Sequence, residues 1–212
     1  MEKKTTKPTY LLESALGGPE RIICGVDEVG RGPLAGPVLA AAVILNPNFL
    51  PHNLNDSKKL SVKKREELNT LILNSAEFAY GEASLEEIDE LNILQATMLA
   101  MKRAVNNLPR KVDHILVDGN KIPDFDAAAT SVIKGDQKSV SIAAASIIAK
   151  VKRDFLMKSL SKLYPEYGWE RNSGYGTKEH MEALNLVGLS PFHRKSFKPI
   201  RNLIYQDNKV ND

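Results

Sequence analysis

Residues 25–32 read Gly25-Val26-Asp27-Glu28-Val29-Gly30-Arg31-Gly32. Two adjacent carboxylates close an apolar run, and a glycine-flanked arginine follows at once. Carboxylates are hard oxygen ligands for divalent cations. Glycine amides, with no Cβ in the way, let a backbone approach a phosphate or a sugar hydroxyl. Both needs of phosphodiester hydrolysis, charge neutralisation and a grip on the substrate backbone, can therefore be met within one short stretch. Two more acids stand where apolar runs end: Asp118 in Val117-Asp118-Gly119-Asn120 and Asp136 in Lys134-Gly135-Asp136. Converging carboxylates repel one another and lose solvation unless a cation compensates. A pair of Mg²⁺-like ions about 3.5–4 Å apart can align a water nucleophile and stabilise a leaving oxygen. Each acid taken singly reads better as a loop residue or a helix cap, a reading that weakens for the adjacent pair Asp27-Glu28. Neighbours on a regular strand also point to opposite faces. Glu28 can thus join Asp27 only if the strand is ending or its longer side chain swings round.

Other stretches offer weaker chemistry. Gly30-Arg31-Gly32 also fits a hairpin turn that uses glycine for positive φ. It lacks the Gly-Lys-Ser/Thr ending of a phosphate-binding loop and the spacing of a dinucleotide fingerprint. Asp56-Ser57-Lys58-Lys59 places a lysine pair before a helix, where one can meet a phosphate or both can be solvated. In Ser173-Gly174-Tyr175-Gly176-Thr177 the tyrosine stands between glycines, free to stack on a base or sugar or to pack on the core. His180 and His193 have no Cys or third His nearby, so the expectation is core or phosphate contacts rather than zinc. The single cysteine, Cys24, excludes an intramolecular disulfide and reads as a small buried thiol.

The elements that must carry these residues follow from periodicity and punctuation. Residues 22–26 predict a buried strand, residues 30–37 a Gly/Pro turn and residues 38–45 a second strand, a β-hairpin. Ser61 caps a helix to residue 75, and residues 78–83 form a third strand. Ser84-Leu85-Glu86-Glu87 has the form of a capping box, opening a short helix, with a longer one over 92–107. Strands at 114–117 and 130–133 end at Asp118 and before Asp136. A long helix over 139–163 has a broad apolar face, and its start, Ala143-Ala144-Ala145-Ser146, permits close packing on a sheet. Thr177 caps a further helix that Gly188 ends. Hairpin strands followed by alternating helices predict an α/β domain with a mixed sheet and a mostly helical C-terminal region. Residues 1–20 read as a polar lead-in with one helical turn around 11–16, residues 21–205 as one domain, and residues 206–212 as a polar tail.

Composition is that of an ordinary globular protein. The 212 residues are 42% apolar and 26% charged, with a net charge of +3. Residues 147–201 hold 11 Lys/Arg against 5 Asp/Glu, a basic excess suited to a nucleic-acid partner or to solvated helices. No apolar run approaches the roughly 18–20 residues that span a bilayer. The basic start lacks the apolar core of a secretory signal. A reducing cytoplasm and no membrane association are expected.

Taken in order and spacing, these motifs resemble bacterial ribonuclease HII, the type 2 ribonuclease H family. The resemblance runs from about residue 22 to 204. It includes residues 25–38, Asp56-Ser57-Lys58-Lys59-Leu60, Val117-Asp118-Gly119-Asn120, residues 141–151, Gly174-Tyr175-Gly176-Thr177 and His193-Arg194-Lys195-Ser196-Phe197. It implies a ribonuclease H-like fold, a central mixed sheet flanked by helices. It further implies an endonuclease that cuts the RNA strand of RNA–DNA hybrids and nicks 5′ of single ribonucleotides in duplex DNA, leaving 3′-hydroxyl and 5′-phosphate ends. The family's catalytic, metal-binding acids fall on Asp27, Glu28 and Asp118. Its fourth falls on Asp136, with Asp154 as rival. Two Mg²⁺ or Mn²⁺ ions are implied. Gly30, Arg31 and Gly32 match the family turn that contacts the 2′-hydroxyl, Tyr175 its junction-stacking tyrosine, and Lys58 its phosphate-contacting lysine. With only about 20 residues before the first strand, type HII is expected rather than HIII, as a monomer. The polar tail gives no indication of sliding-clamp binding. The alternatives at this point are another metal nuclease of the same fold, such as a junction resolvase, and a non-catalytic hybrid-binding protein.

Overall fold

A computed structural model describes residues 7–210, with the side chains of 206–210 left aside. The expectations for residues 1–6 and 211–212 lie outside the described residues. The elements are α1 (Leu11–Ala15), β1 (Ile23–Val29), β2 (Val38–Leu45), α2 (Val62–Ser75), β3 (Ala76–Ala83), α3 (Leu85–Asn106), β4 (His114–Asp118), β5 (Ala128–Val132), α4 (Val140–Leu163), α5 (Trp169–Asn172), α6 (Lys178–Val187) and α7 (Lys198–Val210). The chain resolves into two compact units. One comprises Met1–Val29, Leu39–Glu82 and Met98–Val151, the other Gly30–Val38, Ala83–Thr97 and Lys152–Asp212.

The first unit holds a five-stranded sheet in the order β3-β2-β1-β4-β5. β1 pairs antiparallel with β2 and parallel with β4, and β4 pairs parallel with β5. This is the expected mixed sheet. Ala41, Val43 and Leu45, alternate residues of β2, share one face with Leu68 and Ile72 of α2 and with the Ala- and Ile-rich start of α4. A Cβ on Gly25 of β1 would lie 2.2 Å from the Ser141 carbonyl carbon, so glycine there lets α4 sit against the strand. Ile23, Leu116, Val132 and Ile142 form a second cluster, joined by Leu12 and Leu16. The lead-in is thus tied down. Glu13 of α1 is fully buried and accepts bonds from the Ser139 hydroxyl (2.5 Å) and the Ser141 N–H (3.0 Å), a carboxylate at the start of a long helix. Ser61 caps α2 as expected, its Oγ accepting the Lys64 N–H at 3.3 Å. α3 is broken at Asn92 (φ 70°, ψ 162°). At that break, within the second unit, the Asn92 side-chain Oδ1 caps the restart by accepting the N–H groups of Leu94 and Gln95.

The second unit is helical around an aromatic core of Trp169, Tyr167, Leu160, Met157, Leu184 and Ile200, with Leu34 and Ala35 from the loop after β1. Ser84 and Glu87 close the expected capping box, the Ser84 N–H donating to Glu87 at 2.9 Å. Thr177 caps α6 and Gly188 follows its end. Residues 206–210, expected as a polar tail, have helical backbone as the end of α7.

Candidate active site

β1 runs through Val29, three residues beyond the predicted strand, so Asp27 and Glu28 are strand residues paired with Ala41 and Ala40. The β1–β4 ladder closes at Val26 and Val117. The next residue on each strand is Asp27 and Asp118, so the acids stand side by side where the parallel pair opens. One carboxylate oxygen from each of Asp27, Glu28 and Asp118 lies within 4.8 Å of the others, the one such acidic group among the described residues. Glu28 starts from the opposite face. Its extra methylene and the opening of the ladder beside it let its carboxylate come round.

Each acid is held locally. Asp27, only 6% exposed, accepts the Glu28 N–H at 2.7 Å and interacts with the Ser146 hydroxyl. Ser146 in turn shares a 3.0 Å hydrogen bond with Ser57. Burial, then the Glu28 and Asp118 charges, push the Asp27 carboxyl well above the usual carboxylate range. Asp118 accepts the Gly135 N–H at 2.6 Å, which ties the end of β4 to the turn after β5. A side chain at Gly135 would meet Ile142 Cδ1 at 2.5 Å.

Asp136 occupies a 3-10 turn over Gly135–Gln137 and is not among the three converging acids. It lies close enough to Asp118 and Asp56 to feel both. Burial first, and then those two charges, push it up to about 6, while Lys58 opposes the shift. The rival Asp154 lies on α4 in the other unit, within 3.4 Å of the Ser173 hydroxyl. Lys58 is exposed, and its backbone N–H donates to Asp56 at 2.9 Å.

In the second unit, Gly30 has φ +94°, and a Cβ there would meet Arg153 Nε at 2.2 Å. Both the conformation and the space demand glycine. A Cβ on Gly32 would meet the Tyr175 ring at 3.2 Å, so the Gly-Arg-Gly turn and the tyrosine predicted from separate motifs lie against each other. Tyr175 is 47% exposed. Its backbone is fixed by bonds to Asn172 O, from Thr177 N–H and from His180. That last contact sets a tautomer. His180 Nδ1 must donate to the Tyr175 carbonyl, so its Nε2 accepts from Trp169 Nε1 (3.2 Å) and His193 Nε2 (3.0 Å). His193 Nδ1 then accepts the Ser190 N–H at 2.9 Å. Both histidines are neutral core residues.

A family model described as ribonuclease HII matches residues 24–200. The chain belongs to the ribonuclease HII family. It is therefore an enzyme of the ribonuclease H type. The ribonuclease HII of Ruegeria pomeroyi is 55% identical over 204 residues, covering 95% of this chain and 87% of that one. The crystal structure of ribonuclease H2 from Pyrococcus horikoshii OT3 superposes with a TM-score of 0.74 at 27% identity, over 88% of this chain and 99% of that one. A ribonuclease HII from Archaeoglobus fulgidus, solved in complex with PCNA, gives a TM-score of 0.72 at 27% identity, over 84% and 95%.

Three features escaped sequence reasoning. Asp56 was passed over beside its lysines, although Asn55-Asp56-Ser57 has the side-chain chemistry of a turn that folds back on its own backbone. Ser146 sits among alanines and carried no signal beyond small size. Arg153 and Arg194 were counted with the basic surface, yet they are 1% and 0% exposed.

Proposed function

We propose that the chain hydrolyses the RNA strand of RNA–DNA hybrids and nicks duplex DNA on the 5′ side of a single embedded ribonucleotide, leaving 3′-hydroxyl and 5′-phosphate ends. Such a nick begins removal of the ribonucleotide. Action on RNA paired with DNA follows from membership of the ribonuclease HII family. The observation that carries the finer reading is the convergence of Asp27, Glu28 and Asp118 at the opening of β1 and β4.

That donor set fits a hard divalent cation. It is all oxygen, and its buried member, Asp27, is disfavoured as an anion first by burial and then by the Glu28 and Asp118 charges unless a positive charge joins them. Asp27, Glu28, Asp118 and Asp136 would hold two Mg²⁺ or Mn²⁺ ions. When bound, such ions lower the pKa of an attacking water and stabilise a leaving oxygen. The chain's own residues do the rest. Gly135 and Ser146 orient Asp118 and Asp27 through hydrogen bonds. The Gly30-Arg31-Gly32 amides and the Tyr175 ring select the ribose, since RNA alone offers the 2′-hydroxyl. Lys58 meets a phosphate. Because water attacks, no side-chain nucleophile is needed.

The partner is RNA–DNA hybrid or ribonucleotide-containing duplex, and the enzyme acts as a monomer in the cytoplasm. No helix among the described residues is long and apolar enough to cross a membrane. The PCNA complex belongs to the Archaeoglobus protein, and the reading assigns no clamp contact to this chain. The test is a labelled duplex carrying one ribonucleotide, incubated in Mg²⁺ and in Mn²⁺, with product ends mapped. A 3′-hydroxyl end directly 5′ of the ribonucleotide is expected. Preferential cutting of an all-DNA junction would overturn the reading.

A further inference from the structure

Two arginines of the second unit, Arg153 and Arg194, are buried and donate to backbone carbonyls rather than to a substrate-facing surface. Arg194 donates from Nη2 to Gly30 O (2.6 Å), from Nη1 to Arg31 O (3.1 Å) and from Nε to Gly36 O (2.8 Å). Arg153 donates from Nη2 to Ala35 O (3.0 Å), from Nε to Pro37 O (3.2 Å) and from Nη1 to Ser173 O (2.9 Å). Six carbonyls of two turns are thus drawn to two guanidinium forks. The Arg194 guanidinium also lies 5.0 Å over the Phe197 ring, which restricts its plane.

Peptide planarity gives this arrangement a consequence. In a trans peptide the C=O of one residue and the N–H of the next point in opposite directions. Holding Arg31 O on Arg194 therefore aims the Gly32 N–H away from Arg194. The same fork, through Gly30 O, fixes the preceding peptide. Arg153 bonds the carbonyl of Ser173, two residues before Tyr175, and so ties the tyrosine turn to the Gly-Arg-Gly turn. Gly30, which has no room for a Cβ beside Arg153, shows how tightly the fork is packed.

We propose that Arg153 and Arg194 are positioning residues that set the ribose discrimination of this enzyme by aiming the Gly32 amide and seating Tyr175 against it. The proposal rests on the reading of Gly30-Arg31-Gly32 and Tyr175 as the ribose sensor. A planar fork is required, because a lysine's three donors radiate from a single nitrogen on a flexible stem and do not match three carbonyls spread around a guanidinium.

The experiment compares affinities for a duplex with one ribonucleotide and for the same all-DNA duplex, with Ca²⁺ replacing the catalytic cation, in the parent, Arg194→Lys and Arg153→Lys. The parent should prefer the ribonucleotide duplex. Each variant should lose at least about fivefold of that preference, its ribonucleotide affinity falling more than its all-DNA affinity. General loosening of the fold would lower both equally, and equal losses or an unchanged preference in a folded variant overturn the proposal. If the parent itself shows no preference, it is the ribose-sensor reading that fails. Should neither variant fold, ¹⁵N relaxation of the parent decides. Order parameters at Gly30 and Gly32 should match those of β1, near 0.85, whereas values below about 0.6 overturn the proposal.

Discussion

Gly135 donates its backbone N–H to the Asp118 carboxylate at 2.6 Å, joining the turn after β5 to the last residue of β4. The bond requires close approach, and a Cβ at Gly135 would come within 2.5 Å of Ile142 Cδ1 and 3.2 Å of Asp118 Oδ1. Gly135→Ala should therefore displace Asp118 without removing any carboxylate. A loss of about 1–3 kcal/mol in stability is expected from overpacking, together with a fall in cleavage rate. Urea unfolding and single-turnover cleavage of a hybrid check both. Unchanged rate and stability would mean that the turn does not constrain Asp118.

Neutralising Asp27 should separate stability from activity. Its folded-state pKa is raised by burial and by Glu28 and Asp118. Its contribution to stability is thus present below the unfolded carboxylate pKa and lost as pH rises through the folded value. At neutral pH without metal, Asp27→Asn removes that loss and keeps an oxygen for the Glu28 N–H. Thermal unfolding in EDTA should show a higher Tm for the variant than for the parent, while Mg²⁺ or Mn²⁺ should raise the parent's Tm and leave the variant's almost unmoved. A parent that gains nothing from either ion would contradict a carboxylate metal site.

Asp136 has the same sign and a defined window. With a folded pKa of about 6 against an ordinary carboxylate value, it costs metal-free stability progressively as pH rises from about 4 to 6. Asp136→Asn should flatten that part of the stability profile in EDTA, measured as urea midpoint against pH.

The histidine pair carries the opposite sign. Burial first, and then His180, depress the His193 imidazole to about 4. Protonating it would place a second donor against the Ser190 N–H. Its contribution to stability is complete above pH 6.5 and is lost as pH falls from there to about 4, up to about 3 kcal/mol. NMR titration of the imidazole C–H signals should give a midpoint near 4 for His193. A midpoint near 6.5 would show that the network does not exclude the charged form.

Much of the fold was legible because its signals are local. Ser61, Ser84, Thr177 and Gly188 each bound a helix through side-chain or backbone chemistry that their neighbours declare. That Asp27 and Asp118 come together was legible too, since both end apolar runs, whereas Asp136, read by the same signal, is not among the three converging acids. What stayed hidden depends on distant chain. Whether Glu28 reaches Asp27 is decided by where β1 parts from β4, a tertiary matter. The burial of Arg153 and Arg194 is decided by carbonyls more than a hundred residues away in sequence, which no local pattern of charge reports.

The most direct measurement is the single-turnover rate of nicking at one embedded ribonucleotide in Mg²⁺, for the parent and for Asp27→Asn. The parent should leave a 3′-hydroxyl end immediately 5′ of the ribonucleotide, and the variant should be slower by about 100-fold or more, as expected for loss of a charge-stabilising group. A variant that nicks as fast as the parent would contradict the carboxylate-held metal site on which the account rests.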